Sequence, residues 1–269
     1  MALLGCVAAV SSLHAQVPPR TVHVFVALAD NVNQGIVPVP AKLGNGQDAD
    51  RNLYWGAAAG VKTFFARSAE WQLLSQGQGP KPEVLERCIF KHRTANVYLV
   101  ADAYRGDRIQ QAITDFLEAA AGGNTEQAGL RGMSRASGAQ TASIGAHEPG
   151  ITVPAGGNAS LVAYIGHDGL MDFHLPHLPR QRNPAPREAI ILACISKTYF
   201  AEPMRSAGAR PLLWTTGLMA PEAYTLKYAL DGWIARENDD QIRERAAQAY
   251  DHYQKCGIRA ARRLLVSGW

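Results

Sequence analysis

Residues 189–200 read AIILACISKTYF, and residues 161–173 read LVAYIGHDGLMDF. Each opens as an unbroken apolar run, the mark of a strand buried on both faces rather than one that alternates between core and water. Each run then meets a residue that can do chemistry, Cys194 in the first and His167 in the second. A strand that is apolar on both faces needs helices over both of them. The two segments therefore point to an α/β protein with a mostly parallel central sheet.

The flanking sequence supplies the other elements. Apolar, β-branched runs predict strands over 22–29, 86–91, 97–103 and 211–215, and helical spacing of apolar residues predicts helices over 51–67, 107–121, 219–235, 239–255 and 258–266. The glycines of Gly44-Asn45-Gly46 suggest a phosphate cradle at first sight. No strand leads directly into them and the third glycine of a dinucleotide fingerprint is absent, so they read as a turn. Residues 122–159 are weakly patterned, rich in Gly, Ala and Ser, with a turn at Pro149-Gly150. A connection of that length is functional, flexible or holds a small hairpin. Arg131 and Arg135 within it would suit self-cleavage for activation, although arginines in such a segment are ordinarily just solvated. No internal repeat is present, and residues 17–269 read as a single domain.

The chain has 269 residues, 47% of them apolar and 19% charged, enough to bury a large core. Lys and Arg number 27 against 23 Asp and Glu, and the only cluster of the excess is Arg259, Arg262 and Arg263. That pattern is a solvated helix face rather than a phosphate-tracking stripe, so nucleic acid is not expected as a partner. The opening MALLGCVAAVSSLHAQ, residues 1–16, reads as a signal peptide that ends on the small-residue pattern Leu13-His14-Ala15, although it lacks a basic start. Export to the periplasm or medium is the expectation, with a frayed cytoplasmic N-terminus as the alternative. No other segment approaches the roughly 18 consecutive apolar residues of a membrane span, so no stable membrane insertion is expected. Without the leader, Cys88, Cys194 and Cys256 remain. With an odd number, at least one thiol stays free or pairs outside the chain, and Cys88 and Cys256 are expected to be ordinary buried cysteines unless they bridge each other.

In an open α/β sheet, ligands bind beyond the carboxyl ends of the strands. If the strands before His167 and Cys194 are neighbours, about 4.8 Å apart, thiol and imidazole emerge at one edge and can face one substrate carbonyl. An unperturbed thiol has a pKa of about 8.5 and attacks well only as thiolate; an imidazole can take its proton and later give one to a leaving amine. Gly166 and Gly169 permit a tight turn with exposed backbone N–H groups.

An apolar strand ending in Gly-His-Asp-Gly, followed by an apolar strand ending in Ala-Cys-x-Ser, resembles the clan CD cysteine peptidases, the caspase, gingipain, clostripain and CHAT-type group. The segments SAGARPLLWTTGLMAPEAYTLKYALDGWI and ENDDQIRERAAQAYDHY are similar to the strand and helices that follow in that family. The resemblance covers roughly residues 160–253. It implies a caspase-like three-layer sandwich, His167 as general base and acid, Cys194 as nucleophile, and an oxyanion site built from backbone N–H groups of Cys194 and of Asp168 or Gly169. The family usually has glycine directly after the histidine; here Asp168 stands there, and its carboxylate would disfavour a nearby thiolate.

The implied substrate is a peptide or protein. For its specificity pocket, the position two before the cysteine, acidic in the clostripain-like members, is Leu192. Asp102 and Asp30, each expected at a strand end, are the next candidates for selecting a basic residue, although Asp at a strand end more often caps a turn. Trp214, Thr215 and Thr216 occupy the positions of a pocket wall. No cofactor and no metal are expected: His167, Asp168, Asp172, His174 and His177 fall close together, but their spacing matches no zinc template and two prolines make the segment extended. No G-x-S-x-G elbow follows a strand, which removes the serine hydrolase reading. The rival from another class is a catalytically silent caspase-like domain that binds a peptide or a partner.

Overall fold

The computed structural model describes residues 18–129, 152–183 and 187–269. The leader-like segment, Arg131, Arg135 and the turn at Pro149-Gly150 lie outside them. At the centre runs β1 (Arg20–Ala27), RTVHVFVA, buried along nearly its whole length. It pairs in parallel with β4 (Val97–Tyr104) on one side and β7 (Leu161–Ile165) on the other. Beyond β7, β8 (Glu188–Leu192) and β9 (Arg210–Thr215) continue the parallel arrangement, and β10 (Leu265–Val266) closes that edge antiparallel to β9. Beyond β4, β3 (Val84–His92) and β2 (Trp71–Gln78) add antiparallel strands. The strand order is β10-β9-β8-β7-β1-β4-β3-β2, a mixed, mostly parallel eight-stranded sheet flanked by helices.

The alternation of side chains along β1 explains why the sheet needs cover on both faces. Val22, Val24 and Val26 join the core shared with α1 (Val61–Arg67), α5 (Ala223–Ile234) and α6 (Asp239–Gln254), through Phe65, Leu226 and Ala246. Phe25 and Ala27 point the other way, toward α2 (Ile109–Ala120) and, past the four-residue α3 (Ser196–Tyr199), α4 (Ala201–Ala207), meeting Ile113, Phe116 and Met204. The start of α6 is fixed by a reciprocal cap, in which the Asn238 side chain accepts from Gln241 N–H and the Gln241 side chain accepts from Asn238 N–H. The last helix, α7 (Ile258–Leu264), leads into β10.

Three sequence expectations need correction. The helix expected over 51–67 forms only at 61–67, because the chain before it folds tightly on itself: a Cβ at Gly56 would lie 2.0 Å from the Asp50 carbonyl oxygen. The strand β2 was not expected; only Trp71 and Ser75 of WQLLSQGQ are buried, so this edge strand carries no apolar run. Cys256 is exposed rather than buried, in the turn between α6 and α7, while Cys88 is buried, and Cys88, Cys194 and Cys256 are all free. Within 122–159, the described residues form an antiparallel pair, β5 (Glu126–Gly129) with β6 (Thr152–Ala155). No described helix is long and apolar enough to cross a membrane.

Candidate active site

The neighbouring parallel strands β7 and β8 are in register with Ile165 opposite Leu192. His167 and Cys194 each follow two residues later, so both leave the sheet at the same carboxyl edge. They line one cleft of about 310 Å³. Its other walls come from Ile36, Val37 and Val39 after β1, from Leu53 and Tyr54, from Met171, and from residues 218–222 after β9. Four strands thus contribute their carboxyl ends, which is where an open parallel sheet places a ligand.

Each side chain is held from several directions. Gly166 has φ +153°, and a Cβ there would lie 2.9 Å from the Ala27 carbonyl oxygen, so glycine lets the chain turn off β7 directly against β1. The Tyr164 hydroxyl donates to the His167 carbonyl oxygen at 2.7 Å. The His167 ring, buried to 8% exposure, pairs through Nε2 with Asp172 Oδ2 at 2.6 Å. Asp172 follows a single 3-10 turn, Gly169–Met171, whose start is capped by Asp168 accepting from Leu170 N–H. An imidazole fixed through one nitrogen by a carboxylate presents its other nitrogen in a defined direction, as in acyl-transfer sites with an orienting acid.

Cys194 sits in a turn that a small cage keeps rigid. Ser196 Oγ donates to the Ile191 carbonyl and accepts from Thr215 N–H, while Thr215 Oγ1 accepts from Ser196 N–H and donates to the Ala193 carbonyl. Ile195, directly after the cysteine, has φ +51°. A β-branched residue in the left-handed region is strained and persists only where its surroundings over-determine it. The Cys194 sulfur accepts from Met219 N–H at 3.4 Å and can donate to the Met219 carbonyl at 3.6 Å.

The electrostatics work against a resting thiolate. Burial pushes the Cys194 thiol above its ordinary value; the Met219 N–H opposes this, and the Asp168 carboxylate adds to it. Asp168 is fully buried, its Oδ2 has no partner among the described residues, and burial raises its pKa to about 7, with Asp172 contributing to the rise. A thiol in this setting would serve as a nucleophile only with a base beside it.

The remaining sequence candidates fall elsewhere. Gly169 N–H donates to the His167 carbonyl at 3.1 Å, so it is not a free oxyanion donor. Asp30 caps its own turn, accepting from Val32 N–H, Asn33 N–H and the Asn33 side chain. Trp214 is buried in the core that includes Phe116 and Met204, Thr215 belongs to the cage around Ala193, and Thr216 Oγ1 donates to the Arg263 carbonyl at 2.7 Å. The cleft wall comes instead from residues 218–222, just beyond them.

Asp102 is not at a strand end but inside β4, facing away from this cleft into a charged cluster. Arg87 makes two bonds to its carboxylate, both at 2.6 Å, and reaches Glu126 at 2.7 Å. Gly156 N–H donates to His23 Nδ1, which leaves Nε2 to donate to Asp102 Oδ2 at 3.0 Å. The ligating atoms of His23, Asp102 and Glu126 lie within 4.8 Å of one another, as a metal would require, but the Arg87 guanidinium already supplies the positive charge there. Burial alone would raise the Asp102 carboxyl; the bonds and charge of Arg87, then those of His23, hold it down at about 2. Arg87→Met is therefore expected to destabilise the protein by about 3–5 kcal/mol, since it strands a buried carboxylate. Urea unfolding at pH 7 measures this, and a loss under about 1 kcal/mol would refute it. The contribution of Asp102 is present above its unfolded pKa of about 3.9 and disappears as pH falls toward 2.

In the sequence Asp172 figures only within a rejected metal cluster, Ser196 only as the serine of Ala-Cys-x-Ser, and the 218–222 wall not at all. The spacing Cys-x-Ser was the one available signal for the cage. Compared with protein-family models, curated proteins and solved structures, the chain matches none.

Proposed function

We propose that this protein is a cysteine peptidase with the caspase-like three-layer sandwich of clan CD, hydrolysing peptide bonds with Cys194 as nucleophile and His167 as general base and acid. The observation that carries the reading is the register of β7 and β8, which brings the imidazole and the thiol to the lip of one cleft. In the first step His167 takes the thiol proton as sulfur bonds to the substrate carbonyl carbon. The oxyanion meets the backbone N–H groups of Cys194 and Asp168. The C–N bond then breaks, and His167 gives its proton to the leaving amine. In the second step His167 takes a proton from water, the hydroxide adds to the thioester carbon, and the acid leaves as the S–H bond is restored. Asp172 keeps the ring oriented throughout.

A second reading, a silent scaffold that binds peptides, is favoured by Asp168, whose charge opposes the thiolate. Peptidyl acyloxymethyl ketones carrying Leu, Arg or Asp separate the two, with modified cysteines identified by mass spectrometry. A peptidase forms a thioether at Cys194 while a carboxylate leaves, at least about tenfold faster than at exposed Cys256, and slower again in His167→Ala. Labelling of Cys194 no faster than Cys256 by every probe supports the silent scaffold.

A further inference from the structure

We infer that the cleft selects a long aliphatic side chain, leucine or methionine, at the substrate residue preceding the scissile bond. The inference rests on the cysteine peptidase reading and adds the substrate class to it. The cleft lined by Cys194 and His167 has Ile36, Val37, Leu53, Met171, Leu218 and Met219 among its walls, all apolar, beside Tyr54 and Glu222. Three of them are also exposed, Val37 by 84%, Leu218 by 70% and Met171 by 38%. Large aliphatic side chains left in water around Cys194 are unfavourable in the free protein, and burying them against an apolar substrate group is the contact that removes the penalty. A cleft of about 310 Å³ accommodates a side chain of that size together with the adjoining backbone.

Charge complementarity argues against a basic residue in the same place. Among the described residues that line the cleft the only carboxylate is Glu222, and its Oε2 accepts from the Tyr224 hydroxyl at 2.9 Å and from Gln254 Nε2 at 3.2 Å. It is turned toward α5 and α6 rather than standing unpartnered at the floor of the cleft. Asp102 and Asp30, the acidic candidates from the sequence, are held by Arg87 and by the turn at Val32 and Asn33, and neither lines the cleft. An arginine or lysine entering here would lose hydration while Glu222 is engaged by Tyr224 and Gln254, Asp172 is engaged by His167, and Asp168 is fully buried.

The test uses internally quenched peptides that differ only in Leu, Met, Arg, Lys or Asp before the cleaved bond, with Cys194→Ala as the blank. Expected are kcat/KM values for Leu and Met at least about tenfold above the other three. Leu218→Glu changes an exposed position that packing does not constrain, and is expected to lower Leu cleavage and raise Arg cleavage. A wild-type preference for Arg, Lys or Asp, or no preference, overturns the inference while leaving the peptidase reading intact; loss of an Arg preference in Glu222→Gln would then assign selection to that carboxylate. Cleavage of no peptide above the blank overturns both.

Discussion

Cys194→Ala is expected to lower peptide cleavage by about ten-thousandfold, and His167→Ala by a similar factor. On the proposed mechanism the two act as a unit: without sulfur no acyl-enzyme forms, and without imidazole the thiol, pushed up by burial, has no base to take its proton. Neither change should unfold the protein. Cys194 is only half-buried and its sulfur hydrogen-bonds the Met219 backbone, so the alanine costs about 1 kcal/mol. Asp172→Asn belongs to the same series as a positioning residue. It keeps an oxygen near His167 Nε2 but removes the carboxylate that fixes the ring, so the loss is smaller, about tenfold or more, and falls on kcat rather than KM. Steady-state kinetics on the three variants, with urea midpoints as the folding control, decide the matter. Wild-type rates in Cys194→Ala would place the chemistry at another site.

The legibility of the site in the sequence follows from where each part sits on the fold. His167 and Cys194 could be found because a strand buried on both faces is an unmistakable apolar run, and its carboxyl end is where ligands bind. Their adjacency could be stated only as a condition, since periodicity does not specify strand order; the register of Ile165 with Leu192 is a tertiary fact. The pocket wall was misplaced by a few residues for a related reason. Trp214 and Thr215 end β9, and the strand's alternation sends Trp214 into the core while Thr215 knits to Ala193, leaving the following loop to face the cleft. Asp172 was invisible as a partner of His167 because one 3-10 turn, which no pattern announces, brings it back onto the ring. The edge strand β2 escaped for want of burial, since a strand with two buried residues has no apolar period to read.

Asp168→Asn is expected to stabilise the protein by a few kcal/mol at pH 8 and scarcely at all at pH 4. The carboxyl has a folded pKa of about 7, raised first by burial and further by Asp172, against about 3.9 in the unfolded chain. Between those values the unfolded chain ionises while the folded one stays protonated. Stability is therefore complete below about pH 4, falls as pH rises to 7, and stays low above it. At about 1.4 kcal/mol per pH unit the full penalty is on the order of 4 kcal/mol. Asparagine keeps the oxygen that caps Leu170 N–H and carries no charge, so it removes the penalty only where aspartate would be ionised. The same substitution takes away the negative charge that raises the Cys194 thiol, so alkylation of Cys194 by iodoacetamide should reach half its maximal rate at lower pH than in the wild type, and cleavage at pH 7 should rise. Urea unfolding at pH 4 and pH 8 measures the first effect and the alkylation profile the second. An equal stability change at both pH values would mean that Asp168 does not titrate in the folded protein. An unmoved alkylation profile would mean that its charge does not reach the sulfur, and the residue after His167 would then cease to be an argument against catalysis.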